Sequence, residues 1–319
     1  MFDTVAYEGP APDGIASQSE NLPRYRGAHV RGTFKPDEAW EFSGGYWNRE
    51  MANKRDRYEV QSLQAAAQYS LPQLWRGNRL ALRLGYWRND ASELSKNSFT
   101  RINDYKITSL SVVQPRDENL QLNFILSQPV SKTWNLSAYV GLGSTRVDYE
   151  RIEGLLRDKK NCNYRFDLEK TSGTVNQLGR CGAVKALVIE MPTEQSVANN
   201  IGVNPRDALE YDAVYYQIGL GARYSARRWQ TALGYELRQI HRPDIDAMVT
   251  ESGATPYDLN HSVTLDLAYR VNDSVQLFGR TEYETSRLLS TVPLAYNAFT
   301  AERFAQAGVY FSFGLRMGF

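Results

Sequence analysis

The chain has 319 residues, with 37 Lys and Arg against 36 Asp and Glu for a formal net charge of +1. That balance excludes both the basic footprint of a nucleic-acid-binding protein and a strongly acidic surface. Apolar residues make up 42% of the chain, mean hydropathy is -0.50, and no run of 18 apolar residues occurs, so a helical membrane span is excluded. A β-barrel evades this test, because only alternate residues of its strands meet lipid.

Residues 1–23 open with a short apolar patch, Thr4 to Tyr7, followed by the turn-rich stretch GPAPDG. They read either as a first strand or as a linker. Met1-Phe2-Asp3 lacks the basic and apolar regions of a signal peptide. The expectation is a processed chain, or the C-terminal barrel of a longer one. Residues 24–319 form the second unit. Within it, alternation of apolar and polar residues recurs over eleven segments: 25–34, 38–48, 57–71, 78–88, 118–128, 134–149, 211–225, 228–239, 259–271, 274–287 and 303–319. Strands of this length cross an apolar band of about 25 Å when tilted. The connections alternate strictly. FKPDEAW, LPQLWRGN, QPVSKTW, SARRW and VNDS are tight turns, whereas NREMANKRD, 89–117, 151–210, 240–258 and 288–302 are long and polar. The stretch 106–113 reads as part of one of these long hairpins.

The last segment carries the strongest signal. In FAQAGVYFSFGLRMGF the residues Ala305, Ala307, Val309, Phe311, Phe313, Leu315, Met317 and Phe319 share one face, and polar or small residues share the other. A period of two sustained this long means a strand with different solvents on its two sides. The ending resembles the C-terminal insertion signal of bacterial outer-membrane β-barrels, met here by Ser312, Gly314, Met317 and Phe319. The resemblance implies an all-β, antiparallel up-and-down transmembrane barrel in the bacterial outer membrane, delivered by the barrel-assembly machinery. It also implies a periplasmic C-terminus, short periplasmic turns and long extracellular loops. An even-stranded barrel then requires one strand before residue 24, giving about twelve. Tyr (20), Phe (12) and Trp (6) suit the aromatic girdles of such a barrel. A soluble sandwich or propeller also carries alternating strands, but predicts neither the short-long rhythm of connections nor the aromatic ending. The strand ends GYWNRE, GYWRND, DYERI and GYELRQ read as exits from lipid into water.

Arginine at the bilayer midplane costs about 2–4 kcal/mol, which orients each strand. Leu80, Leu82, Leu84 and Tyr86 face lipid, with Arg79 and Arg83 in the lumen. By the same test Gln64, Gln68, Gln121, Asn123, Arg223 and Arg316 face the lumen, where arginines among amides, with no acid on the strands beside Arg79 and Arg83 at matching depth, read either as a solute path or as the seat of a carboxylate from an inward-folded loop. On three consecutive strands Glu236, Arg238, Asp266, Arg270, Arg280, Glu282 and Glu284 alternate in sign, as in a salt-bridged wall. A parity change after Val60 predicts a bulge near Gln61–Ser62.

Cys162 and Cys181 both fall in the 151–210 loop. An exported chain oxidises such a pair, and no nearby histidine supports metal binding. With its own apolar run, Ala186 to Met191, that loop is expected to fold over or into the mouth. His261 and Ser262 point to opposite faces, which argues against a Ser-His hydrolase. His241, Asp244 and Asp246 faintly resemble the rim of the omptin proteases, but that family's second carboxylate pair has no match. No cofactor or metal motif appears. The residues point to a channel or translocation pore for a polar, perhaps anionic, solute such as an oligosaccharide or polysaccharide. The alternatives are a barrel that anchors or serves as export port for a larger secretion machine, with a periplasmic domain or export partner, and a surface receptor or adhesion barrel. Outer-membrane lipid is the expected solvent of the apolar face, and nucleic acid is not an expected partner.

Overall fold

The alternating segments close into an antiparallel wall. The computed structural model describes residues 2–10, 24–52, 56–72, 77–97, 101–102, 105–181, 187–201, 204–251, 255–286, 292–297 and 307–317. The strands are β1 (Phe2–Pro10), β2 (Arg24–Phe34), β3 (Trp40–Ala52), β4 (Asp56–Ser70), β5 (Arg79–Asn97), β6 (Arg101–Ile102), β7 (Tyr105–Val113), β8 (Arg116–Pro129) and β9 (Trp134–Asp148). They continue as β10 (Arg151–Arg157), β11 (Asn163–Glu169), β12 (Gly173–Leu178), β13 (Val188–Met191), β14 (Tyr211–Ser225), β15 (Trp229–His241), β16 (Leu259–Arg270), β17 (Val275–Glu284) and β18 (Gly308–Met317). Three helices, α1 (Glu194–Ile201), α2 (Pro205–Leu209) and α3 (Pro243–Glu251), and a 3-10 turn at Pro293–Ala295 lie in the long connections.

Among the described residues twelve strands form the ring. From β1 it runs through β2, β3, β4, β5, β8, β9, β14, β15, β16 and β17 to β18. It closes where Phe2–Ala6 pairs with Phe313–Met317. The remaining six strands are an extension. The far end of β5 leaves β8 and pairs with β7, and β7 carries β6 and β10. A meander then continues through β11 and β12 to β13. The stretch 106–113 is thus a strand of this extension and not a spanning one. Closure removes the unpaired edges that an open sheet of this size would leave.

The outer face of the ring is apolar and exposed. Leu84 is 50% exposed, Phe313 65% and Ile218 54%, and they belong to continuous rows in register: Leu84 beside Leu122, Leu122 beside Leu142, and Leu277 beside Leu315. An exposed apolar belt of this extent matches the lipid-facing band of a membrane barrel. Aromatic pairs line it at the short-turn end, with ring centroids 4.9 Å apart for Trp40 and Tyr69, 5.1 Å for Trp134 and Tyr224, and 4.8 Å for Trp229 and Tyr269.

The long-loop end is built differently, because the inward positions there are apolar. Val60, Ala91, Val147, Ala213, Tyr215 and Ile240 point in and join one buried cluster with Leu94 from the far end of β5, Leu110 and Ile152 from the extension, Val197 from α1, Leu209 from α2 and Ile245 and Val249 from α3. Three expectations change as a result. The register shift in β4 falls between Tyr58 and Val60, not at Gln61–Ser62, because Val60 points inward to the cap. In GYWNRE, Arg49 is buried at 1% exposure with its guanidinium 4.3 Å from the Trp47 ring centroid. In GYWRND, the Trp87 indole donates to the buried Asn89, so these two strand ends serve the interior and are not simple exits from lipid. Residues 292–297, expected in a polar loop, are all buried.

Candidate functional site

The lumen divides into two levels. At the short-turn end, β5 places Arg83 between Gln68 of β4 and Asn123 of β8 in the register. Arg31, Glu41 and Tyr139 lie within its electrostatic reach. Glu41 of β3, one strand beyond and level with Gln68, is an acid at the same depth, and it pairs with Lys35 at 2.6 Å. Arg79 lies opposite Ser127 and is exposed. Arg223 is also exposed, and Arg316 lies opposite Gln276, with its side chain outside the described residues. Ser312 and Gly314 alternate with the exposed Phe311 and Phe313, Met317 is exposed, and Phe319 lies outside the described residues.

The amides are partly committed to the wall. Gln217 Nε2 donates to Asn123 Oδ1 at 2.7 Å, and the Tyr215 hydroxyl reaches Asn119 Oδ1 at 2.5 Å and Gln121 Oε1 at 3.1 Å. Gln64 lies opposite Trp87 and Gln68 opposite Glu41. Glycines make this wall possible. A Cβ at Gly219 would collide with the Tyr139 ring, and one at Gly143 with Tyr215. Both phenol rings therefore lie against the backbone of the neighbouring strand, an aromatic cover over glycine of the kind that pins register.

The charged strands form ion pairs. Arg238 meets Glu236 at 3.1 Å and stacks over Tyr215 at 4.8 Å, and Tyr139 donates to Glu236. Arg280 lies 3.4 Å from Glu282 and 3.9 Å from Asp266, its partner in register. Ser262 donates to Glu282, and Glu284 is buried. Arg270 stands apart, exposed and opposite Gln276 at the short-turn end.

At the long-loop end the segment Val292–Asn297 sits in the mouth. Its backbone is caught from two sides: Leu294 N–H donates to Asp117 Oδ2 at 2.9 Å, and the Tyr211 hydroxyl donates to the Pro293 carbonyl at 2.8 Å. Asp117 ends a buried polar ladder across four strands. Arg49 donates to Ser62 and to Asn89 Oδ1, at 2.5 and 2.8 Å, and Asn89 Nδ2 donates to Asp117 at 2.8 Å. The side chain of Tyr296 lies under the Arg242 guanidinium at 3.7 Å, and its hydroxyl donates to Asp246 at 3.2 Å. Burial pushes this phenol up to about 12, against the pull of Arg242, so it remains a donor at neutral pH. Beneath Pro293 a cavity of about 10 Å³ remains among Asn119, Tyr215 and Arg238, no more than the space of one water.

Arg49, Asn89, Asp117, Tyr211, Arg242 and Tyr296 were not singled out in the sequence. Asp117 and Arg242 stand in polar stretches that read as loops, and the plug offered a single clue, the apolar run within TVPLAYNAF. The loop expected to fold over or into the mouth, 151–210, builds β10–β13, α1 and α2 of the cap over it, and the segment that enters is 292–297. A disulfide joins Cys162 to Cys181, with Cα atoms 5.7 Å apart, across the β11–β12 hairpin. Three of the residues weighed for hydrolysis have structural partners, while His241 and Asp244 are exposed. Asp246 serves Arg242 and Tyr296, while His261 bonds Tyr235 at 2.8 Å on the opposite face from Ser262.

No family model matches the sequence, and no curated protein matches it. Solved structures match in fold. The translocator domain of the autotransporter NalP from Neisseria meningitidis aligns with a TM-score of 0.53 at 11% identity, over 100% of this chain and 87% of that one. The NanC porin aligns at TM-score 0.43 and 9% identity, over 100% and 99% of the two chains. The KdgM porin aligns at 0.40 and 6%, also over 100% and 99%. The last two are distant enough that no argument rests on them. The chain has the fold of a bacterial outer-membrane β-barrel.

Proposed function

We propose that this barrel is an outer-membrane conduit for a polar, anionic solute such as an acidic oligosaccharide, with its long-loop mouth closed at rest by residues 292–297. In this reading the short turns and the C-terminus are periplasmic and the cap is extracellular. The carrying observation is the contrast along the lumen. Arg79, Arg83 and Arg223 line the short-turn half, with the amides Gln68 and Asn123 level with Arg83 on its two flanking strands, whereas the far half is packed shut. Guanidinium groups among amides favour carboxylates and hydroxyls in a water-filled passage. The ion-paired wall of Glu236, Arg238, Asp266, Arg280 and Glu282 holds the opposite strands in register.

Planar-bilayer recording tests the reading. Replacing 292–297 by a Gly-Ser linker is expected to convert rare openings into steady conductance with anion preference. Arg79→Ala/Arg83→Ala in that background is expected to abolish the preference. Steady non-conduction after plug replacement, or an anion preference untouched by the arginine changes, would sink it. A second reading, a surface receptor, is favoured by the ordered, disulfide-closed cap of β10–β13. It predicts ligand capture by the intact barrel without conductance.

A further inference from the structure

Aromatic pairs line the short-turn end on several sides, whereas among the described turn residues the cations without an acidic partner gather on one side. The 130–133 turn carries Lys132, the 226–228 turn carries Arg227 and Arg228, and all three side chains are exposed. These turns are contiguous: Ser225 N–H donates to the Thr133 carbonyl at 2.8 Å, and Arg270 N–H donates to the Arg228 carbonyl at 2.8 Å. Arg228 reaches the Tyr269 hydroxyl at 3.5 Å, on the aromatic pair just below it. Across these two turns and the next, 271–274, the single acid is Asp273, and neither Lys132, Arg227 nor Arg228 makes an ion pair among the described residues. Apolar side chains stand among the cations on the same edge, with Val130 60% exposed, Trp229 56% and Trp134 46%.

The turn on the other side of the barrel, 35–39, is a control within the molecule. It has the same aromatic support in Trp40, Phe42 and Tyr69. Its Lys35 is taken by Glu41, and Asp37 is spent on the backbone amides of Ala39 and Trp40. A general need for interfacial anchoring would treat both sides alike. We infer that the short-turn edge formed by Lys132, Arg227 and Arg228 over Trp134, Tyr224, Trp229 and Tyr269 is a docking site for an anionic phospholipid headgroup. The cations meet the phosphate, and the exposed rings and Val130 meet the upper acyl chains. Indole and phenol rings belong at this depth, and each cation near an anionic surface adds about fivefold to lipid affinity. The inference is independent of any conducting role.

Native mass spectrometry of the detergent-released full chain tests it. Phosphatidylglycerol and phosphatidylcholine with identical acyl chains are offered together, and folding is checked by heat-modifiable gel mobility. The intact protein is expected to retain phosphatidylglycerol preferentially, and each of Lys132→Gln, Arg227→Gln and Arg228→Gln to reduce that preference about fivefold. Lys35→Gln, on the opposite turn, is expected to leave it unchanged. Equal retention of the two lipids by the intact protein would overturn the assignment, as would a triple variant with undiminished preference. Displacement of the lipid by soluble glycerol phosphate would also overturn it, in favour of a site for a free anion.

Discussion

The two ends of this barrel treat the inward face of the same strands in opposite ways. Toward the short turns, β5 sends Arg83 into the lumen and Leu84 into lipid. Six residues from Asn123, the register partner of Arg83 on the neighbouring β8, Asp117 is fully buried under a plug, and on β4 the inward Val60 is at 0% exposure. One half is lined by groups that need water. The other is a protein core, with apolar side chains from four long connections and a polar ladder whose hydrogen bonds are made internally. A membrane barrel is therefore not uniform along its axis. Where a segment of the chain fills the lumen, inward positions follow the rules of a soluble interior, and any buried polar group there needs a partner.

The contrast can be broken most severely by removing what fills the far half. Replacement of 292–297 should expose the inward apolar residues to water, and beyond the conductance expected above it should raise binding of a hydrophobic dye to the detergent-free barrel in nanodiscs. Next in size, Leu84→Arg should destabilise the barrel by about 2–4 kcal/mol in urea unfolding from lipid vesicles. Arg83→Leu, one residue away on the other face, should cost less than half as much. Equal costs would mean that the two faces have been misassigned. Asp117→Ala leaves the Leu294 amide and the Asn89 side chain without their acceptor and should loosen the plug by about 2–3 kcal/mol. Faster hydrogen exchange over 292–297, with the β14–β15 amides unchanged, is the expected signature.

The smallest effect is a pH dependence. Because the Tyr296 phenol is raised to about 12 in the folded chain, against about 10 when unfolded, its contribution to plug docking is complete below pH 10. It is lost as pH rises through 12. Exchange of the plug should accelerate across that window, and Tyr296→Phe should flatten this component.

Legibility in the sequence followed the same division. Orientation of Leu82, Leu84, Ile218, Leu265 and Phe313 could be read from period-two alternation, because a charge at the bilayer midplane is costly enough to discipline every strand that crosses it. The alternating signs of Asp266, Arg280 and Glu282 could be read as a charged wall, but which acid meets which arginine follows from the strand register alone. Trp47, Trp87 and Arg49 misled. An aromatic residue followed by a charge at a strand end has the same pattern whether it meets the lipid-water boundary or folds inward against a plug. Asp117 gave no signal at all, because its value lies in a bond to Leu294, 177 residues away.

By itself, then, the sequence determined a closed antiparallel barrel, the lipid-facing identity of its alternate residues and the arginines of its short-turn half. Each follows from local periodicity and the cost of burying charge in lipid. Only the tertiary structure decided that the far half is filled, by which segment, and through which hydrogen bonds. Those contacts join residues far apart in the chain, and apolar side chains facing a plug are chemically the same as apolar side chains facing lipid.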